Sequence, residues 1–559
     1  MVSPNLIKRN QVSLTLTPNT KKLFQFIYGQ KQKSESGFND DEIPKIHVSD
    51  ISSQLSFLYE KIRNAVDYDD DHLLRKNAIK RILRRHIFIE GVVMEYDSGA
   101  ISMKLLTELI QAGYLPNDKV KEVKIKEITD LLEKYIELRN RYKKIHPNNL
   151  DLKEAESQER SHVLNWIIVL ASTEIEENLN RDEVKLLAMT NMFEILSKVI
   201  KLPSDLPYQK DLNIQIYLSI VRNFLKLDRE MQSFIAFKYY NDWKEADTAG
   251  IHYIAENLNV INLLVEKQLK HPLTKQVDKI VRRYSLFYSL LTEIIADDPN
   301  KVYENATGNT KAFLNLVKEH CEKKYVKVKS RLWRSGLRSI IYIFLTKSIF
   351  VILLEIPAIK FFGEPLNPVS LAINIAFPVV LLLIIIMFTK TPNKKNTEKI
   401  IEGIKEITFV ENQKFQPIYL RKDTRRNYFM NALFNLIYAT AFILSIYFLI
   451  KLLHIIHFNW VSITIFLFFL AFISFFSFRI KRDVKQYIII EEKETIFGFI
   501  FDFFYMPIVA VGKWLSNNIS RINIFIFILD FIIEAPFKVI VGVIEDWTKY
   551  LKERKEDIT

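Results

Sequence analysis

The sequence predicts an all-α protein: an N-terminal cytoplasmic multi-helix domain, then a four-helix transmembrane region, then C-terminal amphipathic helices. Three observations carry this reading. Apolar residues recur at helical rather than alternating spacing from about residue 45 to 335. Four long apolar stretches follow, each of the length a bilayer core requires. Only 13 of the 559 residues are Gly, too few for Gly-rich phosphate loops, β-meander turns or flexible linkers. A single Cys excludes a disulfide framework and any Cys-based metal site.

In chain order, residues 1–45 are polar, and the run Lys31 to Gly37 has nothing to bury, so partial disorder is expected there. Met1 to Asp50 contains no apolar run of eight residues, so no secretory signal is read and the N-terminus is expected to stay on the side of synthesis. Residues 46–335 read as successive helices: His47–Val66, Asp71–Gly91, Ile101–Ala112, Asn117–His146, Leu150–Leu179, Arg181–Lys201, Asp211–Leu227, Asp228–Asn241, Ala246–Leu269, Pro272–Ala296 and Asn309–Arg334. Pro147, Pro203, Pro207 and Pro299, with neighbouring Asn, Ser and Asp, supply the breaks. Asn309–Arg334 contains no Pro and is expected to run into the first span as a rigid coupling.

The spans are 337–356, 370–389, 428–450 and 458–478 within a region 336–480. At ~1.5 Å rise, 20 residues match a core of ~30 Å. Lys and Arg crowd before the first span, in the loop 390–427 and after the fourth, whereas the two remaining connections carry only Lys360 and Lys451. Positive residues stay inside, so both termini are expected in the cytoplasm of a multi-pass protein of the cytoplasmic (inner) membrane. The formal charge of +13, from 78 Lys and Arg against 65 Asp and Glu, follows from this asymmetry and from attraction to anionic lipid headgroups. Nucleic acid is not needed to explain it.

No H-E-x-x-H, G-x-S-x-G, Walker or Rossmann pattern occurs, so no catalytic residue, metal or cofactor is predicted. Asp67, Asp69, Asp70, Asp71 and His72 precede a helix and read as its N-terminal charge complement, the alternative being a metal site. That helix carries Arg75, Lys76, Lys80, Arg81, Arg84, Arg85 and His86, which reads as a solvated basic face, with phosphate binding as the alternative. Cys321 reads as an inert thiol, with acylation as the alternative.

Inside the spans, Lys347 lies about 15 Å beyond Leu337 by helix rise, where a cation costs on the order of 2.5–3.5 kcal/mol. It is expected to face a bundle interior, a wet cavity or a carboxylate on another segment, or else to snorkel. Glu355, eight residues on and roughly 80° round an α-helix, reads as a poor partner. Asn374, Asn431 and Asn435 are further intramembrane polar groups, the last two sharing a face suited to interhelical hydrogen bonds.

Residues 481–559 are read as interfacial amphipathic helices with a charged tail. From Ile522 the polar positions Asp530, Glu534, Lys538, Gly542, Glu545, Lys549 and Lys552 recur every three or four residues, the helical period. Asp502 belongs to a less regular stripe upstream. Two further spans, over 496–515 and 522–544, are the alternative, in which Asp502 and Asp530 would be partners for Lys347. Taken together, these features predict a non-enzymatic scaffold or membrane-organising component that contacts membrane lipids and binds protein partners through residues 46–335, self-association being compatible with it. The alternative is a channel, transporter or insertase-like translocation factor using Lys347.

Overall fold

Short polar side chains set the helix starts: Asp97, Asp182, Asp228, Asp247, Asp298, Asn309, Asn367 and Asn393 each accept a hydrogen bond from a first-turn backbone N–H of the helix they precede. The computed structural model describes residues 14–35, 44–64, 71–89, 97–147, 154–412, 416–422, 428–490 and 496–521, with isolated positions between 543 and 554. Two units divide the chain. One comprises Lys22–Ser285, Phe415–Lys422 and Ile524–Thr559; the other comprises Met1–Lys21, Leu286–Lys414 and Asp423–Asn523.

The elements are α1 (Pro18–Glu35), α2 (Asp50–Asn64), α3 (Asp71–Ile89), α4 (Ser98–Gln111), α5 (Val123–Ile145), α6 (Glu154–Leu179), α7 (Glu183–Val199), β1 (Ile200–Lys201), α8 (Leu212–Asn223), α9 (Arg229–Tyr240), α10 (Thr248–Leu269) and α11 (Thr274–Asp297). They continue with α12 (Pro299–Gly308), α13 (Thr310–Phe350), a π turn (Val351–Glu355), α14 (Ile356–Phe361), α15 (Pro368–Met387), α16 (Lys394–Thr408), β2 (Ile418–Tyr419), α17 (Tyr428–Ile455), α18 (Trp460–Lys485) and α19 (Ile496–Arg521). The fold is all-α as the spacing predicts. Its one sheet is two residues wide, Ile200 pairing in parallel with Ile418 and Lys201 with Tyr419. Helix α1 departs from the expectation of disorder over residues 1–45: Leu23, Phe24 and Ile27 recur on one face and are buried.

A large apolar cluster in the first unit is drawn from α3 to α6 and α8 to α10, and includes Leu105, Leu132, Leu170, Phe234, Phe237 and Leu258. Its aromatic polar groups are satisfied: Trp166 Nε1 donates to Ser233 Oγ at 2.7 Å, and Trp243 Nε1 donates to Glu174 Oε2 at 2.9 Å. Most of the basic residues of α3 are neither solvated nor open to phosphate, Arg84 being the exposed one. Arg75 forks onto Glu176 of α6 at 2.6 and 2.7 Å, Arg81 pairs with Glu60 of α2, and Arg85 meets Glu108 of α4 at 2.5 Å. Lys76, fully buried, donates to Asp228 and, at 2.6 Å, to Glu230; Lys80 meets Glu230 at 2.7 Å. One basic helix is thereby pinned to acidic groups of four neighbours. Burial pushes the Glu230 carboxyl upward, but Lys76 and Lys80 outweigh it and hold it below the ordinary value. Among the described residues of the N-terminal acidic run, Asp71 occupies the first turn of α3; Asp67, Asp69 and Asp70 lie outside them.

In the second unit α13 runs 41 residues without interruption, the continuous helix expected from the missing Pro. Cys321 is buried within it, away from any acylating reagent. Among the described residues, five helices are long and apolar enough to cross a membrane: Thr310–Phe361, Pro368–Met387, Tyr428–Ile455, Trp460–Ser477 and Gly498–Ser516. The first and third contain the spans predicted at 337–356 and 428–450, and the second and fourth cover most of those at 370–389 and 458–478; the fifth belongs to the stretch assigned to the membrane surface. Two glycines allow close approach. Gly336 admits Ile386 of α15 against α13, and a Cβ at Gly512 of α19 would strike the carbonyl of Ala471 in α18. Asp502 neighbours Lys481, so α18 and α19 run antiparallel, and Ile508 packs into the cluster of Phe466, Leu470 and Ala471.

Candidate functional site: a buried polar cluster among apolar helices

Pro357 lies two residues beyond Glu355 and has no N–H to give the preceding turn. The chain responds with a π turn over Val351–Glu355, in which the Ile356 N–H donates to the Val351 carbonyl, five residues back. A wider turn advances less per residue than an α turn, so Glu355 returns to the face that carries Lys347. Both side chains are fully buried, and Lys347 stands within electrostatic range of Glu355.

Around them α15 contributes Asn374 and α18 contributes Ser462, both fully buried. Asn374 Nδ2 donates to Glu355 Oε1 at 2.6 Å, and Ser462 Oγ donates to the same oxygen at 2.7 Å. Asn374 Nδ2 also approaches the Ser462 carbonyl at 3.4 Å. Ser462 is itself placed by Asn459, whose Oδ1 accepts from the Ser462 N–H at 2.8 Å at the start of α18. The lysine takes a different seat: its Nζ is 3.8 Å from the ring centre of Phe469 and 5.6 Å from that of Phe350, the two rings meeting edge to face at 5.1 Å.

Among the described residues, Lys347 Nζ, Glu355 Oε2 and Asn374 Oδ1 are buried with no hydrogen-bond partner. A buried polar atom in that state costs on the order of 1–3 kcal/mol, and the three in one cluster make it the candidate site.

The structure thus brings together two of the predicted residues, Lys347 and Asn374, and seats Lys347 in the bundle interior, not at a surface. The carboxylate within reach is on the same helix and not on another segment, because the π turn cancels the rotation that an ideal α-helix would impose. Pro357 was the available signal for that turn; Ser462 carried none, being one of several hydroxyls in the apolar spans. Asn431 and Asn435 do not join the cluster, for both lie exposed on α17. Asp502 is exposed beside Lys481, away from the role of partner to Lys347. Asp530, Glu534 and Lys538 lie outside the described residues.

Five apolar helices, with a charged couple buried among them, mark a multi-pass α-helical membrane protein. No protein-family model matches the chain, and no curated protein or solved structure gives a significant match.

Proposed function

We propose that the protein is a non-enzymatic scaffold of the cytoplasmic membrane whose helical unit is held at the cytoplasmic face to bind protein partners. One observation carries this reading. Helix α10 leaves Tyr253, Val260, Leu263 and Leu264 exposed along one side, three of them at 57% or more, while most charges of α3 are paired internally. An apolar helix face in a domain whose charges are spent on itself suits a helix or groove of another protein better than a phosphate. With the full-length protein in its membrane, a photo-crosslinker at Val260 should form discrete protein adducts that Leu263→Glu abolishes. Adducts no more frequent than from an exposed polar position such as Lys185 would contradict the reading.

The basic residues around 390–427 support cytoplasmic termini. A Cys placed at Asn393 should then resist impermeant reagent added outside intact cells, and its labelling would reverse the orientation. The antiparallel packing of α19 on α18, from Lys481 to Ala471, supports a membrane-crossing α19 over one lying on the surface. The apolar stretch 522–544 has the length to return the chain, which keeps both termini on one side.

Translocation is the second reading, favoured by the unpartnered polar atoms at Lys347, Glu355 and Asn374. Ion or solute flux in vesicles containing purified protein, abolished by Lys347→Met, would establish it.

A further inference from the structure

We infer that Glu355 is an intramembrane proton-binding site, with Asn374 as the amide that recognises the protonated carboxyl and Lys347 as the cation that takes the proton's place. The argument starts from which atoms lack partners. Asn374 and Glu355 are already joined by Nδ2–H···Oε1 at 2.6 Å, and the atoms left over on these same two side chains are Glu355 Oε2 and Asn374 Oδ1. Both are acceptors, so neither can satisfy the other while the carboxyl is ionised. A proton on Oε2 makes it a donor of the kind Asn374 Oδ1 lacks, and a bond between these two atoms would close a two-bond ring between acid and amide. One added proton would thereby remove two buried unsatisfied atoms.

Lys347 completes the logic. Its Nζ rests on the faces of Phe469 and Phe350, a seat for an ammonium that needs no anion, and not on the carboxylate within its electrostatic range. That placement suits a neutral Glu355. When Oε2–H ionises, the O–H electron pair stays on the carboxylate, the proton returns to water, and the ammonium can leave the rings for Oε2. The cluster then holds a neutral ion pair where it previously held one positive charge. Lys347 is the cation within electrostatic range of Glu355; Cys321 is buried earlier in α13, Lys360 of α14 is exposed, and Asn374 and Ser462 are the uncharged polar groups bonded to the carboxyl.

A metal cation fits less well. Two unpartnered oxygens fall short of the roughly six that hard cations gather, and an ammonium close by would repel it. The site's position after the long helix α13 gives its charge state a rigid element to act on. The inference does not depend on the scaffold reading.

The test is infrared difference spectroscopy of the full-length protein in lipid, stepping pH from mildly acidic to mildly alkaline. The expected result is a protonated-carboxyl C=O band that titrates in this interval and is missing from Glu355→Gln. Lys347→Met should change the pH dependence of that band, since the carboxylate loses its cation. Asn374→Leu should keep the band and move its frequency toward that of a free acid. Loss of the band on adding sodium at constant pH would assign the site to a metal cation and overturn the proposal. So would a titration unchanged by Glu355→Gln, or a midpoint unmoved by Lys347→Met.

Discussion

Lys76 and Lys347 are both fully buried, yet the fold treats them in opposite ways. Lys76 is met by Asp228 and Glu230, and Arg75, Lys80, Arg81 and Arg85 along α3 are each matched by a carboxylate from another helix. Lys347 is met by two aromatic rings, while the carboxyl within its range spends one oxygen on an amide and a hydroxyl and leaves the other bare. The difference separates two uses of buried charge. Where buried charges are met by opposite charges on neighbouring helices, they fix how the helices meet, and any change is costly. Where donors and acceptors remain unmatched in proximity, a proton or a small motion can reorganise the site at little cost.

The comparison is broken most forcefully by leaving Lys76 unpaired. Asp228→Asn with Glu230→Gln strands a buried ammonium and should destabilise the helical unit by about 3–5 kcal/mol, read as lost hydrogen-exchange protection in α3 and α9. Protection within about 1 kcal/mol of the parent would mean that the ion pairs of α3 are ornamental. Gly512→Val should come next, because its side chain meets the Ala471 carbonyl. Overpacking of about 1–3 kcal/mol should separate α19 from α18 and reduce disulfide formation between Cys placed at Lys481 and Asp502.

Acidity sharpens the contrast with a definite sign. Glu230 is held below its ordinary value, so its stabilising contribution is complete above the unfolded carboxylate range, about pH 4.3, and is lost as pH falls through the lower folded value. Protection of α3 should therefore persist through mild acid and fall only below about pH 4. Glu230→Gln should flatten that acid limb; an unaltered limb would place its origin elsewhere. The smallest effect belongs to α10: Leu263→Glu should change stability by less than about 0.5 kcal/mol while abolishing the crosslinks from Val260. A larger loss would show that the stripe is core and not docking surface.

Much of this architecture was legible in the sequence because periodicity and span length are local properties. The continuous passage of Thr310–Phe350 followed from a missing Pro, and the four apolar stretches from length alone. What sequence could not supply was pairing. The acidic partners of α3 lie up to about 150 residues away, at Glu230 from Lys80 for example, so its basic run looked like a free face. The spacing of Lys347 and Glu355 was judged on an ideal helix; one π turn ahead of Pro357 brings both to one buried face, although they form no direct ion pair. Asn431 and Asn435 show the converse: their spacing correctly put them on one face, but nothing local says whether a face points inward. Residues 1–45 misled in a third way, since a polar average concealed the Leu23, Phe24 and Ile27 stripe of α1.

The most direct test is a pair of double-mutant cycles on the full-length protein in lipid at mildly acidic pH, one for Lys76 with Glu230 and one for Lys347 with Glu355, using Lys→Met and Glu→Gln. If the first lysine is matched and the second is not, the Lys76–Glu230 coupling should be on the order of 1–3 kcal/mol and the Lys347–Glu355 coupling below about 0.5 kcal/mol. Equal couplings, or a larger one at Lys347, would make the membrane couple an ordinary ion pair and contradict the account.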